Sequence, residues 1–274
     1  MGLSVNFVHH LLALKRAGVL DGARRVVEIG AQQLADSFLQ ATFELDEIYR
    51  LFGRPRADLG APVGAENFIE RAPYSRVFWT SLGLDYAAID VDTREGVTYL
   101  DLNRDDVPFD LYRAFDLVIN AGTTEHVSNQ GNAFRIIHDL TRTGGVMYHE
   151  VPAGGTIEHG FIAYQPIFFM RMAQQNEYEW LRFNLSAMQP APVPEYLHEF
   201  NRRYGGVDNL KDHSITEMSL YVAFRKQYRF PFSSPIDSVA HFVPRPRLPA
   251  MRRLRLLAAQ VPLLHRLYRM IVPR

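Results

Sequence analysis

The chain has 274 residues, 47% of them apolar and 22% charged, which is enough to bury a substantial core and argues against wholesale disorder. It has no cysteine, which excludes disulfides, thiolate metal sites and a cysteine nucleophile together and fits a reducing, cytoplasmic setting. Basic and acidic residues number 30 each, but eight arginines lie beyond Pro244 where there is no acid, so an acidic body precedes a basic tail.

Taken in chain order, residues 4–17 read as a helix, with Val5, Val8, Leu11, Leu12 and Lys15 spaced by threes and fours and Gly18 and Gly22 as stops. Asn6, His9 and His10 interrupt this stretch and Lys15 and Arg16 follow it, the wrong order for an export signal. No apolar run is long enough to span a bilayer. Arg25–Gly30 reads as a short buried strand. Residues 41–71 are an inserted segment before the next strand, Tyr86–Asp90. Strands follow at Val97–Asp101, Phe115–Asn120 and Val146–Glu150, with a helix over Gln130–Leu140 closed by Gly144 and Gly145. A helix over Pro166–Gln175 and strands near Tyr178–Leu185 and Ser219–Phe224 complete the series, with residues 189–213 as a second insertion.

Alternating helix and buried strand predict an α/β fold: a Rossmann-like, mostly parallel sheet over residues 23–230, flanked by helices and preceded by the N-terminal helix within 1–22. Functional residues of such sheets gather at the carboxyl ends of the strands, where Gly30, Asp90, Asp101, Asn120, His149 and Glu150 would fall. The dinucleotide fingerprint G-x-G-x-x-G is absent, because Gly30 is followed by Ala31-Gln32-Gln33-Leu34, which argues against a nicotinamide or flavin enzyme.

Glu28-Ile29-Gly30 resembles the first motif of the class I S-adenosylmethionine-dependent methyltransferases, with Gln32 and Leu34 in place of its later glycines. Asp90 matches that family's acid at the end of the second strand, and the resemblance implies hydrogen bonds to the ribose of S-adenosylmethionine. Asp101-Leu102 is similar to the loop that flanks the adenine, Phe115–Asn120 with Glu125-His126-Val127 to the fourth-strand segment, and Thr143-Gly144-Gly145 to the turn into the fifth. The resemblance implies S-adenosylmethionine as cofactor and Glu28, Gly30, Asp90, Asp101, Leu102 and Asn120 as the residues around it.

His126, His138, His149 and His159 lie within 34 residues. His126, His149 or His159 would remove the acceptor's proton, and His138 reads as a surface or packing residue. No H-E-x-x-H spacing occurs and no metal is expected; the alternative is a divalent cation held by histidines and carboxylates that orients a diol-like acceptor. The expected activity is methyl transfer to a small-molecule or glycan hydroxyl. The alternatives are an inactive methyltransferase-like accessory protein and a metal-assisted hydrolase. Residues 244–274 carry an apolar stripe from Met251 to Ile271 among arginines, a basic amphipathic helix for a peripheral membrane surface, for the acidic body or for a second subunit. Nucleic acid is not an expected partner.

Overall fold

The computed structural model describes residues 2–92, 96–157, 159–193, 195–204 and 214–236. The basic tail at 244–274, and residues 205–213 of the second insertion, lie outside the described residues.

Seven strands form one sheet. β1 (Arg25–Ile29), β2 (Asp85–Asp90), β3 (Val97–Tyr99), β4 (Phe115–Ala121) and β5 (Thr141–Gly154) are parallel, in the order β3-β2-β1-β4-β5. β7 (Ser214–Arg225) follows β5 antiparallel, and β6 (Glu179–Pro192) closes the edge antiparallel to β7. The expected Rossmann-like architecture is therefore present. Strand order reverses between β1 and β4, the position where ligands of open α/β sheets bind beyond the strand ends.

Side chains alternate across the sheet, so each strand feeds two cores. Val26, Leu117, Ile119, Val146 and Tyr148 meet α1 (Val5–Arg16), α2 (Asp36–Gln40), α3 (Thr42–Phe52) and α5 (Arg76–Ser81), with the short α4 (Phe68–Arg71) between the last two in sequence. Val27, Ile29, Val118, Met147 and Val151 meet α6 (Gln130–Leu140) and α7 (Pro166–Asn176) on the other face. The 41–71 segment is thus part of the first layer: Leu45, Ile48 and Tyr49 of α3 are buried there. Residues 189–213 begin as the end of β6, continue into α8 (Glu195–Tyr204) and leave the described residues after it.

Two details depart from the sequence reading. The helix α6 does not end on glycine: it stops at Leu140, and β5 begins at once with Thr141. The Thr141 hydroxyl donates to the Ile137 carbonyl at 2.7 Å, and the fully buried Lys226 Nζ donates to the His138 and Thr141 carbonyls at 2.6 and 2.8 Å. A hydroxyl and an amine thus satisfy carbonyls that a glycine-based cap would otherwise turn to its own backbone. Burial brings Lys226 down to about 7. His138 is buried, pairing with the Tyr178 hydroxyl and the Phe230 carbonyl, so it is a packing residue and not a surface one.

Candidate functional site

At the carboxyl end of β1 the chain turns at Gly30, whose φ of 79° is the left-handed region that favours glycine. A Cβ there would sit 2.4 Å from Thr123 Oγ1, so the loop after β4 packs directly against it. Thr123 Oγ1 donates to the Ile29 carbonyl at 2.6 Å, and the Gln32 amide reaches Gly30 O at 3.2 Å and Thr123 Oγ1 at 3.4 Å. The two loops that bound the switch point are therefore tied together at its base, and a ligand would rest above that tie.

The N–H groups of Gly30, Ala31, Gln32 and Leu34 in this loop are engaged within the protein. Gly30 N donates to the Ile89 carbonyl at 2.8 Å, Ala31 N to Asp90 Oδ2 at 3.0 Å, Gln32 N to Glu28 Oε2 at 3.1 Å and Leu34 N to the Pro73 carbonyl at 2.8 Å. A pyrophosphate needs such N–H groups aimed outward. These four engaged donors do not point outward to one.

Glu28 is fully buried. Besides Gln32 N, it accepts from Ser75 Oγ at 2.6 Å, Trp79 Nε1 at 2.7 Å and Tyr86 Oη at 2.8 Å. Burial pushes its carboxyl up while these four donors oppose the shift. Glu28 locks α5, β2 and the β1 loop together, and any influence it has on a ligand passes through that loop.

Asp90, at the next strand end, accepts from Ala31 N with one oxygen and from Val91 N and Asp92 N with the other, at 2.7 and 3.2 Å. A carboxylate has about four acceptor positions, so one remains. Asp101 turns inward to its own loop, accepting from Asn103 N at 2.8 Å and pairing with Arg104 at 2.9 Å; Leu102 is buried beside it. Asn120 is fully buried, bonded to Thr124 Oγ1 at 2.9 Å and lying 3.3 Å from His149 Nδ1.

The sequence pairs His149 with Glu150, but adjacent strand residues point to opposite faces. His149 enters the second core, where its ring lies 5.3–6.0 Å from those of Phe134, Phe169 and Phe224. Burial lowers it to about 3, so it is neutral at ordinary pH. Glu150 faces α1, taking long hydrogen bonds from Tyr148 Oη at 3.3 Å and Ser4 Oγ at 3.5 Å, and burial raises it to about 7. The two do not form one catalytic pair.

The other two histidines do meet. A single 3-10 turn, Thr124–His126, follows β4, and the loop after β5 returns over it. Phe161 N and Ile162 N both donate to the Glu125 carbonyl, at 2.7 and 3.2 Å. Gly160, at φ 82°, allows this approach: a Cβ would stand 2.9 Å from Glu125 Cγ. The result is a cluster in which His159 Nε2 lies 3.5 Å from Glu125 Oε1 and the His126 and His159 rings are 5.2 Å apart, edge to face. Burial raises the Glu125 carboxyl to about 7; burial first, and His159 second, lowers His126, and burial lowers His159. Tyr164 supports the turn from behind through Thr124 Oγ1 at 2.9 Å and Gln130 Oε1 at 2.5 Å.

Gln32, Thr123 and Glu125 at these loops carry more of the geometry than the sequence reading assigned to them. Gln32 stands where a second motif glycine would, and its Oε1 is buried without a hydrogen-bond partner among the described residues.

No family model matches the sequence, and no curated protein does. Among solved structures, the chain is similar to the 1,6-didemethyltoxoflavin-N1-methyltransferase of Burkholderia thailandensis, bound to 1,6-didemethyltoxoflavin and S-adenosylhomocysteine (13% identity, 81% of this chain, 78% of that one, TM-score 0.42). It is also similar to a SAM-dependent methyltransferase from Archaeoglobus fulgidus (11% identity, 78% and 94%, TM-score 0.37). A third is the YcgJ protein of Bacillus subtilis (11% identity, 80% and 100%, TM-score 0.41). These are likenesses of fold, and the fold itself is given by the strand order: a Rossmann-like sheet with its switch point between β1 and β4.

Proposed function

We propose that the protein is an S-adenosylmethionine-dependent methyltransferase acting on a hydroxyl of a small or carbohydrate-type acceptor. The observation that carries this reading is the pair of acceptors at neighbouring strand ends beside the switch point. They are Asp90, with acceptor capacity left for a ribose hydroxyl, and, on the loop just past β1, the buried Oε1 of Gln32, which has no hydrogen-bond partner among the described residues and suits an ammonium donor. A nucleoside sulfonium without phosphates fits such a site, because the N–H groups of Gly30, Ala31, Gln32 and Leu34 are already engaged. When bound, the sulfonium supplies an activated methyl group, and the protein's part is positioning and proton removal.

For proton removal, His126 and His159 are the groups at hand. Both are held toward their neutral form, the form that accepts a proton, and both line the loops beyond β4 and β5. His149 is enclosed by aromatic rings and serves the core. Glu28 and Asn120 act as positioning residues, holding the loops after β1 and β4. Asp101 shapes its own turn beside Leu102.

Calorimetry with S-adenosylmethionine or S-adenosylhomocysteine tests the reading. Binding is expected without added metal, and Asp90→Asn, which keeps the shape of the side chain, should weaken it by about 1–3 kcal/mol. No heat of binding at millimolar cofactor would overturn the reading and leave a methyltransferase-like accessory protein. With an acceptor in hand, alanine at His126 or His159 should lower turnover about 10²–10⁴-fold while cofactor affinity holds.

A further inference from the structure

Glu125 is fully buried, and neither of its carboxylate oxygens has a hydrogen-bond partner among the described residues; Nε2 of His159, which faces it, has none either. A carboxylate kept from water without donors costs several kcal/mol, and folded proteins pair such groups or use them to bind something. A partner that accepts lone pairs from the carboxylate and from the facing imidazole nitrogen at once would satisfy both. A metal cation does this.

We propose that Glu125, His126 and His159 form a binding site for a divalent transition-metal cation of the zinc class. The three donor atoms lie within 4.8 Å of one another. Two imidazoles and one carboxylate are the donor set of a catalytic zinc or a related first-row ion, and the nitrogens disfavour magnesium and calcium, which take oxygen ligands. Metal–ligand bonds of about 2.0–2.2 Å separate the donors of a tetrahedral site by about 3.3–3.6 Å. The 3.5 Å between Glu125 Oε1 and His159 Nε2 is already close to that edge.

The backbone holds the donors in place. His159 is one residue from Gly160, whose glycine conformation lets the loop descend on Glu125, and the Glu125 carbonyl takes both Phe161 N and Ile162 N. Glu125 and His126 share one 3-10 turn, anchored by Tyr164 through Thr124. His126 is exposed, so the side away from Glu125 opens to solvent and leaves a coordination position for water or for an oxygen of the acceptor. Occupied, the site takes both imidazoles out of proton transfer, so it replaces the histidine base and does not add to it.

Metal binding is measured without reference to methyl transfer, so it can fail or succeed independently of the proposed activity. The full chain, treated with chelator and dialysed, is titrated with Zn²⁺ by calorimetry and with Co²⁺ by visible absorption. One equivalent should bind in the micromolar range or tighter, with a Co²⁺ spectrum of nitrogen–oxygen ligation. Glu125→Gln and His159→Ala should each weaken binding about 100-fold or more, and Mg²⁺ should not compete. Glu125→Gln preserves shape and is the variant to rely on if His159→Ala folds poorly. Zn²⁺ affinity weaker than millimolar, or affinity unchanged in Glu125→Gln, would overturn the proposal. Preferential binding of Mg²⁺ would do the same.

Discussion

Glu28 and Glu125 are both wholly buried, and both lie beside the switch point, one on β1 and one just after β4. Glu28 accepts from four donors; neither oxygen of Glu125 has a hydrogen-bond partner among the described residues. Burial alone therefore says little about what an acid does. Donors drawn from α5, β2 and the β1 loop make Glu28 a joint in the scaffold. Their lack makes Glu125 a group whose partner is yet to come. The same distinction runs through the site: on the β1 side the Glu28 carboxylate is fully engaged and Gln32 Oε1 is left over, while on the β4–β5 side both Glu125 oxygens and His159 Nε2 lack a hydrogen-bond partner among the described residues.

The largest effect that bears on this contrast is expected from Glu28→Ala. It removes an acceptor shared by Gln32 N, Ser75, Trp79 and Tyr86 and leaves those donors buried. Stability should fall by about 3–5 kcal/mol in chemical denaturation. A loss under 1 kcal/mol would mean that the four hydrogen bonds do not hold the loop, and the contrast with Glu125 would collapse.

His149 sharpens the comparison, because it too carries a buried nitrogen, Nε2, without a partner among the described residues. Its neighbours are phenylalanine rings instead of other ligating groups, so it is a core residue, not a site. Its folded pKa of about 3 lies below the unfolded value of 6.5, so the unfolded chain binds the extra proton. The resulting penalty is absent above pH 6.5 and grows as pH falls toward 3. His149→Phe should relieve roughly 3 kcal/mol of acid destabilisation at pH 4 relative to pH 8. Parallel stability–pH curves for the two proteins would show that His149 is not held neutral by the core.

Much of the scaffold was legible because strands and helices announce themselves locally. β1, β2, β4 and α6 begin and end within a residue of where hydrophobic runs and periodicity put them. The switch-point residues Gly30, Asp90 and Asn120 followed from that alone. What stayed hidden depends on contacts between distant segments. Ser75, Trp79 and Tyr86 reach Glu28 from 47, 51 and 58 residues away, and no local pattern marks them as its donors. The separation of His149 from Glu150 was available from the period of a strand and needed only the two-residue alternation to be applied. The density of histidines was visible too. That His126 and His159 would meet over Glu125 depended on the turn at Gly160 and two backbone hydrogen bonds, which spacing does not encode.

Glu125→Gln should act in the opposite direction to Glu28→Ala. Burial raises the Glu125 carboxyl to about 7, so at pH 8 in metal-free buffer the folded protein holds a buried charge with no hydrogen-bond partner among the described residues. Glutamine removes the charge, keeps the shape and adds donors that face His159 Nε2, 3.5 Å from the present oxygen. The variant is expected to be more stable than the parent by about 1–2 kcal/mol at pH 8. The gain should shrink as pH falls through 7 toward 4.5, because the folded parent's carboxyl protonates first and the unfolded one follows around 4.5, so the penalty is gone below both values. With Zn²⁺ present the order should reverse, because cation binding stabilises the parent far more than the variant, by about 2.7 kcal/mol for the parent at a hundredfold excess over its dissociation constant. Thermal melts of both proteins at pH 8, with chelator and with Zn²⁺, read all of this in one series. A parent more stable than Glu125→Gln in chelator would mean that the carboxylate already has its partner inside the fold, and Glu125 would join Glu28 as a structural acid.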